Sequence, residues 1–406
     1  MRMADRSGAR SFGSVTTPRP TPAAQTDVLV AGGGTAALEL LLALRDRTTG
    51  TPHVTLLTPD AFYRSRPLAS YGGLVPHHEA TLSLDRFTAE LGVGHVDDRL
   101  ASVDAQARTV TTAAGGRIGY RALVVAVGGR PRSTVPGTVV LGTLAGEARM
   151  RELTAAVRER RISRVAVVVP GGVHWTLPAY ECALLLRHLG ETVGQPLEIV
   201  VLTAEARPMS TFGDAISATL VSLLRRRGVE LRTAVQPQAF TDGRLWIPLE
   251  GTLPVDAAVA LPLIGGPAIS GLPSDGEGFL AVDDRGRVVD LDRPDELAPP
   301  GVWAIGDAAD HPVKQGGLAV AQAEVAAADL VGELGIGDPT PPPDEGRVLR
   351  AALLDGPGTL YLRAEHGPEG WRSVASREPL WWPPAKVAGG RVEQLLAGPA
   401  GVPVRA

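Results

Sequence analysis

Val28-Leu-Val-Ala-Gly-Gly-Gly-Thr-Ala-Ala-Leu-Glu39 decides how this chain is read. Apolar residues lead into three glycines and then into an alanine- and leucine-rich run. That is the pattern of a buried strand, a tight turn and a helix. Gly32, Gly34 and Ala37 occupy the three small-residue positions of G-x-G-x-x-G/A. Gly32 permits the turn, Gly34 lets backbone amides approach a pyrophosphate, and Ala37 keeps helix and strand close. With Gly33, Thr35 and Ala36 they form a candidate phosphate cradle, because a helix start offers free N–H groups and a positive dipole end.

Composition sets bounds around this motif. A chain of 406 residues is long enough for two or three domains. A net charge of −4 gives no field for nucleic acid, and none is expected as a partner. Cys182 is the single cysteine, so no disulfide, redox pair or cysteine-rich metal site forms within one chain. The eight histidines show no H-E-x-x-H spacing, and no metal is expected. Residues 1–26 are polar without an apolar signal core and read as a disordered tail. No stretch reads as a transmembrane span, so a cytoplasmic protein is expected, with peripheral contact at the inner face of the membrane left open.

Downstream, a helix is expected over residues 35–47 and a strand over 53–57. An acidic residue about 20 positions after the glycines often meets the ribose. Thr58 stands there, with Asp60 beyond it; Asp60 either reaches a ribose or starts a turn after Pro59. Arg66 lies in a loop before Pro67, open to a diphosphate or to solvent. Residues 84–91 read as a short helix, and 93–103 and 108–113 as strands of a meander. Tyr120 to Val127 is a strand that ends in Gly128-Gly129, where backbone passes close to a cofactor.

A second strand-turn-helix unit follows: Arg164 to Val169, then Pro170-Gly-Gly-Val-His-Trp-Thr-Leu-Pro-Ala-Tyr-Glu-Cys182. Residues 197–202, 214–227 and 229–248 read as its next strand, a helix and a small meander. The second unit repeats the layout of the first. The expected class is α/β: two Rossmann-like, three-layer ββα domains with a short C-terminal α+β segment. The expected division is 27–150 and 256–335 for the first domain, 151–255 for the second, and 336–406 for a C-terminal lid or interface segment.

The set Gly32-Gly-Gly-Thr-Ala-Ala37, Leu123-Val-Val-Ala-Val-Gly-Gly129 and Val302-Trp-Ala-Ile-Gly-Asp307 resembles the FAD-dependent pyridine nucleotide–disulfide oxidoreductase superfamily. The resemblance covers roughly residues 27 to 335. It implies FAD as the cofactor, with residues 32–37 at the diphosphate. It places Val127, Gly128 and Gly129 near the flavin and Gly306-Asp307 at the ribityl chain. Within the superfamily the chain is similar to sulfide:quinone oxidoreductases and, more distantly, to type II NADH dehydrogenases. Pro178-Ala-Tyr-Glu-Cys-Ala183 resembles their G-P-A-Y-E-x-A segment, and Pro312-Val-Lys-Gln-Gly-Gly317 their flavin turn. The resemblance puts Lys314, Gln315, Gly316 and Gly317 at the flavin edge.

Two departures from those relatives shape the functional expectation. The reactive cysteine before P-A-Y-E is replaced near His174-Trp175, and Cys182 reads as a core residue. Cysteine-bound sulfur chemistry is therefore expected to be lost. The turn at Gly171-Gly172 carries Val173, His174, Trp175 and Leu177 where a nicotinamide dinucleotide needs bare backbone. The expected function is an FAD oxidoreductase passing electrons from an unidentified small-molecule donor to an acceptor, by resemblance a quinone. His174 is the candidate for proton transfer, Lys314 for stabilising charge at the flavin edge, and Glu181 for supporting the turn or relaying protons. Two other readings stay open: an NAD(P)H dehydrogenase with a non-standard turn, and a non-catalytic flavin-binding redox sensor or partner subunit. The tryptophans at 371, 381 and 382 suggest a lid, a homodimer contact or an interfacial anchor.

Overall fold

The computed structural model describes residues 24–75, 81–291, 300–343, 348–367 and 370–397. Most of the expected tail thus lies outside the described residues, but Ala24 to Thr26 already belong to the first strand, Ala24–Ala31. That strand sits between Val54–Leu57 and Arg117–Val125, in parallel with both. Gly94–Val96 extends one edge of the parallel set, and Val302–Ala304 pairs in parallel with the other side of Arg117–Val125. The expected strand over 93–103 is therefore two: Gly94–Val96 joins the parallel sheet, and Leu100–Asp104 joins the antiparallel meander with Thr109–Thr112. A turn at Asp97-Asp98, where the Asp98 carboxylate accepts from the Arg99 and Ala114 amides, separates them.

The helix Thr35–Arg47 has the bounds the sequence pattern predicts. Ala36 through Leu44 are all buried, as in a helix apolar on every side and enclosed by the core. It packs against Gly316–Leu334, where Ala319, Ala323, Ala326 and Ala327 keep the contact face small. Small residues on both helices let their axes approach closely while the leucines fill the flanks.

A second, five-stranded parallel sheet forms from Val139–Val140, Ala257–Ala260, Arg164–Val169, Glu198–Thr203 and Val229–Thr233, in that order. Two assignments differ from the sequence expectation. Val229–Thr233 is an edge of this sheet, and the small meander is Ala239–Thr241, Arg244–Ile247 and Gly251–Pro254. Ala257–Ala260 inserts beside Arg164–Val169, so the chain leaves the second sheet after residue 260, not at 255. Its run of apolar residues suits a strand covered on both faces, and periodicity alone does not say which sheet takes it.

The C-terminal segment is an antiparallel sheet of Val348–Leu354, Thr359–Gly367 and Gly370–Ser376, followed by the helix Arg391–Ala397. Trp381 stacks edge-on against Tyr361 at 5.0 Å, and Trp382 is exposed. The Trp371 side chain lies outside the described residues. No helix among the described residues is long and apolar enough to cross a membrane.

One buried ion pair ties this segment to the second domain. Glu181 is fully buried, and the Lys386 ammonium donates to it at 2.5 Å. The Tyr71 hydroxyl (2.6 Å) and the Leu354 amide (2.8 Å) donate to the same carboxylate. With this set of donors the charge is satisfied in the apolar interior. Lys386→Met removes the cation and leaves the carboxylate buried. The expected loss of stability is about 3–5 kcal/mol, read as a lower denaturation midpoint with unchanged slope; an unchanged midpoint counts against the pair as a structural tie.

Candidate functional site

The glycine turn shows why each small residue is there. Gly32 has φ +119, and a Cβ there would lie 2.2 Å from the Ala126 carbonyl oxygen. The turn after the first strand and the end of Arg117–Val125 meet backbone to backbone at this point. A Cβ on Gly33 would lie 2.7 Å from the Thr58 hydroxyl oxygen, so Thr58, itself buried, forms the wall behind the turn. Gly34 differs from both. It is exposed, its φ is −89, and nothing lies within 4 Å of a Cβ built there. The open side of Gly34 faces outward beside the first amides of the helix, as a phosphate cradle requires.

A cavity of about 480 Å³ opens beside the end of Val54–Leu57, lined by Pro59, Asp60, Ala61, Phe62, Arg64 and Thr81. Asp60 caps its own turn, its amide and carboxylate both within 3.3 Å of the Thr58 hydroxyl. Asp60 thus makes the turn after Pro59, and it also lines the cavity. The open face of Gly34 and this cavity flank the end of the strand Val54–Leu57 and the start of the helix Thr35–Arg47.

The other end of the groove gathers four of the predicted residues. Gly306–Ala308 forms a single tight turn after the strand Val302–Ala304. The Gly306 amide donates to Gln322 of the long helix at 2.7 Å. A Cβ on Gly306 would touch Ala36 at 3.0 Å, so this turn packs against the phosphate helix. Asp307 is recessed, and burial pushes its carboxyl up, opposed by the charges of Arg66, Lys314 and His174. Arg66, which opens the short helix Arg66–Ala69 and does not lie in a loop, comes from the first domain, His174 from the second and Lys314 from the returning chain.

Lys314 is buried, its ammonium over the Phe279 ring at 3.8 Å and donating to the Ala309 carbonyl. Burial pulls its ionisation down, opposed by Asp307 and Asp310. His174 packs edge-on against the same ring at 5.9 Å, and its Nδ1 lies 3.2 Å from the Pro312 carbonyl oxygen. Phe279 is thus the shared floor under both candidate residues. It lies in an irregular stretch, and nothing in its local sequence distinguishes it from an ordinary core aromatic.

Gly128 has φ +74 with open space at its Cβ position, and Gly129 packs under Ile264 and near Asp307. Val127 is partly buried beside them. Gln315 is the N-cap of Gly316–Leu334, and its side-chain amide donates to the Arg350 carbonyl. Gly316 and Gly317 lie under Val387 and Ala388 of the C-terminal segment. Glu181 is held by Lys386, Tyr71 and Leu354, a different set of partners from the group around Asp307.

The second turn borders a separate cavity of about 290 Å³, lined by Pro170 to Thr176, Ala204, Glu205 and Met209 to Thr211. Glu205 follows the strand Glu198–Thr203, where an acidic residue reaches a ribose in dinucleotide folds. Here its carboxylate accepts from Tyr180 (2.5 Å), Thr176 (3.2 Å), Thr203 (3.1 Å) and the Met209 amide (3.0 Å). Trp175 packs on Phe212 at 5.6 Å, and Pro178 sits in the first turn of the helix Leu177–Thr192, where it supplies no amide.

The two glycines give opposite expectations. Gly34→Val should leave the apoprotein folded, with its melting temperature within a few degrees of wild type, yet abolish FAD retention, read from the flavin absorbance of the purified protein. Gly32→Ala should destabilise the fold itself, because its Cβ meets backbone rather than a movable side chain. Equal flavin content in Gly34→Val and wild type would place the diphosphate elsewhere.

The model of the pyridine nucleotide-disulphide oxidoreductase family matches residues 26–328. The ferredoxin–NAD(+) reductase component of the p-cumate 2,3-dioxygenase system of Pseudomonas putida is 27% identical over 303 residues, covering 70% of this chain and 68% of that one. An NADH dehydrogenase-like protein of Mycobacterium tuberculosis is 28% identical over 314 residues, covering 70% and 73%. The sulfide:quinone oxidoreductase of Aquifex aeolicus has the same fold, with a TM-score of 0.72, 18% identity and 87% of each chain covered. A ferredoxin reductase of Rhodopseudomonas palustris superposes with a TM-score of 0.66 at 22% identity, covering 84% of this chain and 83% of that one. Two Rossmann-like domains and a family match across both make this chain an FAD-dependent oxidoreductase of the pyridine nucleotide-disulphide oxidoreductase family.

Proposed function

We propose that this oxidoreductase takes electrons from a donor other than a nicotinamide dinucleotide and passes them to a small acceptor of the quinone class. The observation that carries the donor reading is Glu205. Its two oxygens already accept from three hydroxyls and an amide of the protein, so a ribose would have to displace internal donors to bind there. Trp175 and Pro178 add bulk and remove an amide on the same turn. The quinone acceptor is supported by the sequence resemblance to sulfide:quinone oxidoreductases.

Bound FAD supplies a two-electron carrier at the junction of the two domains. The chain's own residues would act around it as follows. The Pro312 carbonyl can only accept, so the His174 Nδ1 carries its proton and Nε2 bears the lone pair. Nε2 is then the group that takes a proton from a donor as its electrons leave. Lys314, whose charge Asp307 and Asp310 favour against the cost of burial, would stabilise negative charge on the reduced cofactor. Arg66 and Lys314 set their charge against the Asp307 carboxyl. Cys182 is fully buried, its thiol pushed up to about 12 by burial and then by Glu181. A thiol so held is no nucleophile, which supports a reaction without cysteine-bound sulfur.

A second reading, electron entry from NAD(P)H, is favoured by the cavity between Gly171-Gly172 and Glu205 and by the names of the curated relatives. One of those names also makes a ferredoxin-type protein the competing acceptor. Anaerobic mixing of the holoprotein with NADH or NADPH is expected to leave the flavin oxidised on the time scale of turnover. Rapid bleaching by either nucleotide overturns the donor reading. A chemically reduced holoprotein should be reoxidised faster by a short-chain quinone than by a ferredoxin; the reverse order overturns the acceptor reading. Lys314→Met should lower the flavin midpoint potential by about 30 mV, equivalent to about 1.4 kcal/mol for two electrons, and an unchanged potential removes Lys314 from the flavin edge.

A further inference from the structure

The C-terminal helix Arg391–Ala397 reaches the phosphate turn from behind. The Val392 amide donates to Glu39 of the phosphate helix at 2.8 Å. Arg391 joins Glu39 (3.5 Å), Asp46 (2.6 Å) and Glu324. Glu393 goes further in. Its Oε1 accepts from the Ser65 hydroxyl at 2.5 Å and the Tyr63 hydroxyl at 3.4 Å. The Tyr63 oxygen in turn lies 3.1 Å from the Thr35 hydroxyl oxygen. Thr35 is the first residue of the phosphate helix, next to the open face of Gly34. A chain of hydroxyls therefore runs from a carboxyl on the last helix to the phosphate cradle.

Each hydroxyl has one proton, which fixes the direction of the chain. When Glu393 is ionised it only accepts, so Tyr63 gives it its proton. Tyr63 can then only accept from Thr35, and the Thr35 proton points inward, leaving lone pairs toward the cradle. When Glu393 carries a proton, it can donate to Tyr63, Tyr63 donates to Thr35, and the Thr35 proton turns outward toward an anion.

We propose that Glu393 is a positioning residue of the FAD site: its protonation turns the Thr35 hydroxyl into a donor to the diphosphate, so FAD binding takes up a proton. This rests on the reading that the diphosphate lies at residues 32–37. A carboxylate and a diphosphate held near each other also repel, which acts in the same direction. The groups that interact with Glu393 are Ser65, Tyr63 and the Lys386 charge; Thr35 and Glu39 of the phosphate helix act on it through Tyr63, and Arg391 on its own helix turns to Glu39, Asp46 and Glu324. The strand Thr81–Ser83 packed against the helix brings no ionisable side chain. Burial raises the Glu393 carboxyl above the ordinary glutamate range, opposed by Ser65, Tyr63 and the Lys386 charge. Burial likewise raises Tyr63, with Glu393 next, so the phenol keeps its proton as a link in the chain.

The sign follows from linkage. The complex binds more protons than the free protein, so affinity falls as pH rises through the Glu393 titration. The test is the FAD dissociation constant of the holoprotein, measured by ultrafiltration across a series from acidic to mildly alkaline pH. Wild type should weaken with pH, by up to about tenfold per unit for one coupled proton. Glu393→Gln keeps a donor toward Tyr63 at every pH and should bind FAD with no slope, at the affinity wild type shows at low pH. Tyr63→Phe cuts the chain and should also lose the slope. Arg391→Met, which loosens the helix by another route, should lower the melting temperature and keep the slope. A flat wild-type profile, or the wild-type slope retained in Glu393→Gln, overturns the proposal. FAD retained in Gly34→Val fails the underlying reading instead, so the two failures are told apart.

Discussion

The structure rests on one close approach: the Gly32 backbone against the carbonyl of Ala126. No side chain fits between them, and this absence lets the first strand end beside Arg117–Val125 with the phosphate helix directly above. Once that junction is made, other positions follow from it. Thr58 fills the space behind Gly33, Gly306 meets Ala36, and the turn of Asp307 lands at the far end of the same groove. The alanines on Gly316–Leu334 extend the rule, since small residues keep that helix against the phosphate helix. The groove is therefore shaped by backbone contact more than by the side chains lining it.

How much of this is legible in the sequence depends on how local the signal is. The helix Thr35–Arg47 follows from a glycine turn and an unbroken apolar run. Ala257–Ala260 does not, because a short buried strand carries no mark of the sheet that will accept it. Val229–Thr233 is similar: short alternating strands next to a meander look alike until pairing is known. Of the site residues, Asp307 and Lys314 stand in motifs that the superfamily shares. Phe279 and Gln322 hold them in place, and neither sits in a pattern that sequence reasoning could single out. Lys386 and Glu393 were invisible for a stronger reason. Lys386 follows a tryptophan- and proline-rich run and Glu393 opens a short mixed helix, and only long-range closure makes either internal.

The two domains treat their glycine turns differently. In the first, side chains retreat and leave Gly34 open to a ligand. In the second, the protein answers its own polar groups: Tyr180, Thr176 and Thr203 all turn toward Glu205. A carboxylate supplied internally is stable without a ligand, whereas an open turn is completed by one. The two turns of the duplicated architecture thus differ in what lies around them: open space at Gly34, and a carboxylate with four protein donors at Glu205.

The strap formed by Lys386, Val387 and Arg391 to Glu393 also bears on how the protein is made. It joins residues separated by more than three hundred positions, among them Val392 and Glu39. Contacts of that span form late in folding, because loop closure must precede them. During synthesis, the phosphate helix emerges long before the segment that seals its buried glutamate. Until that segment arrives, Glu39 is a charge without its partner, and the domain holding it stays incomplete. Closure around the phosphate helix then waits on a segment more than three hundred positions downstream.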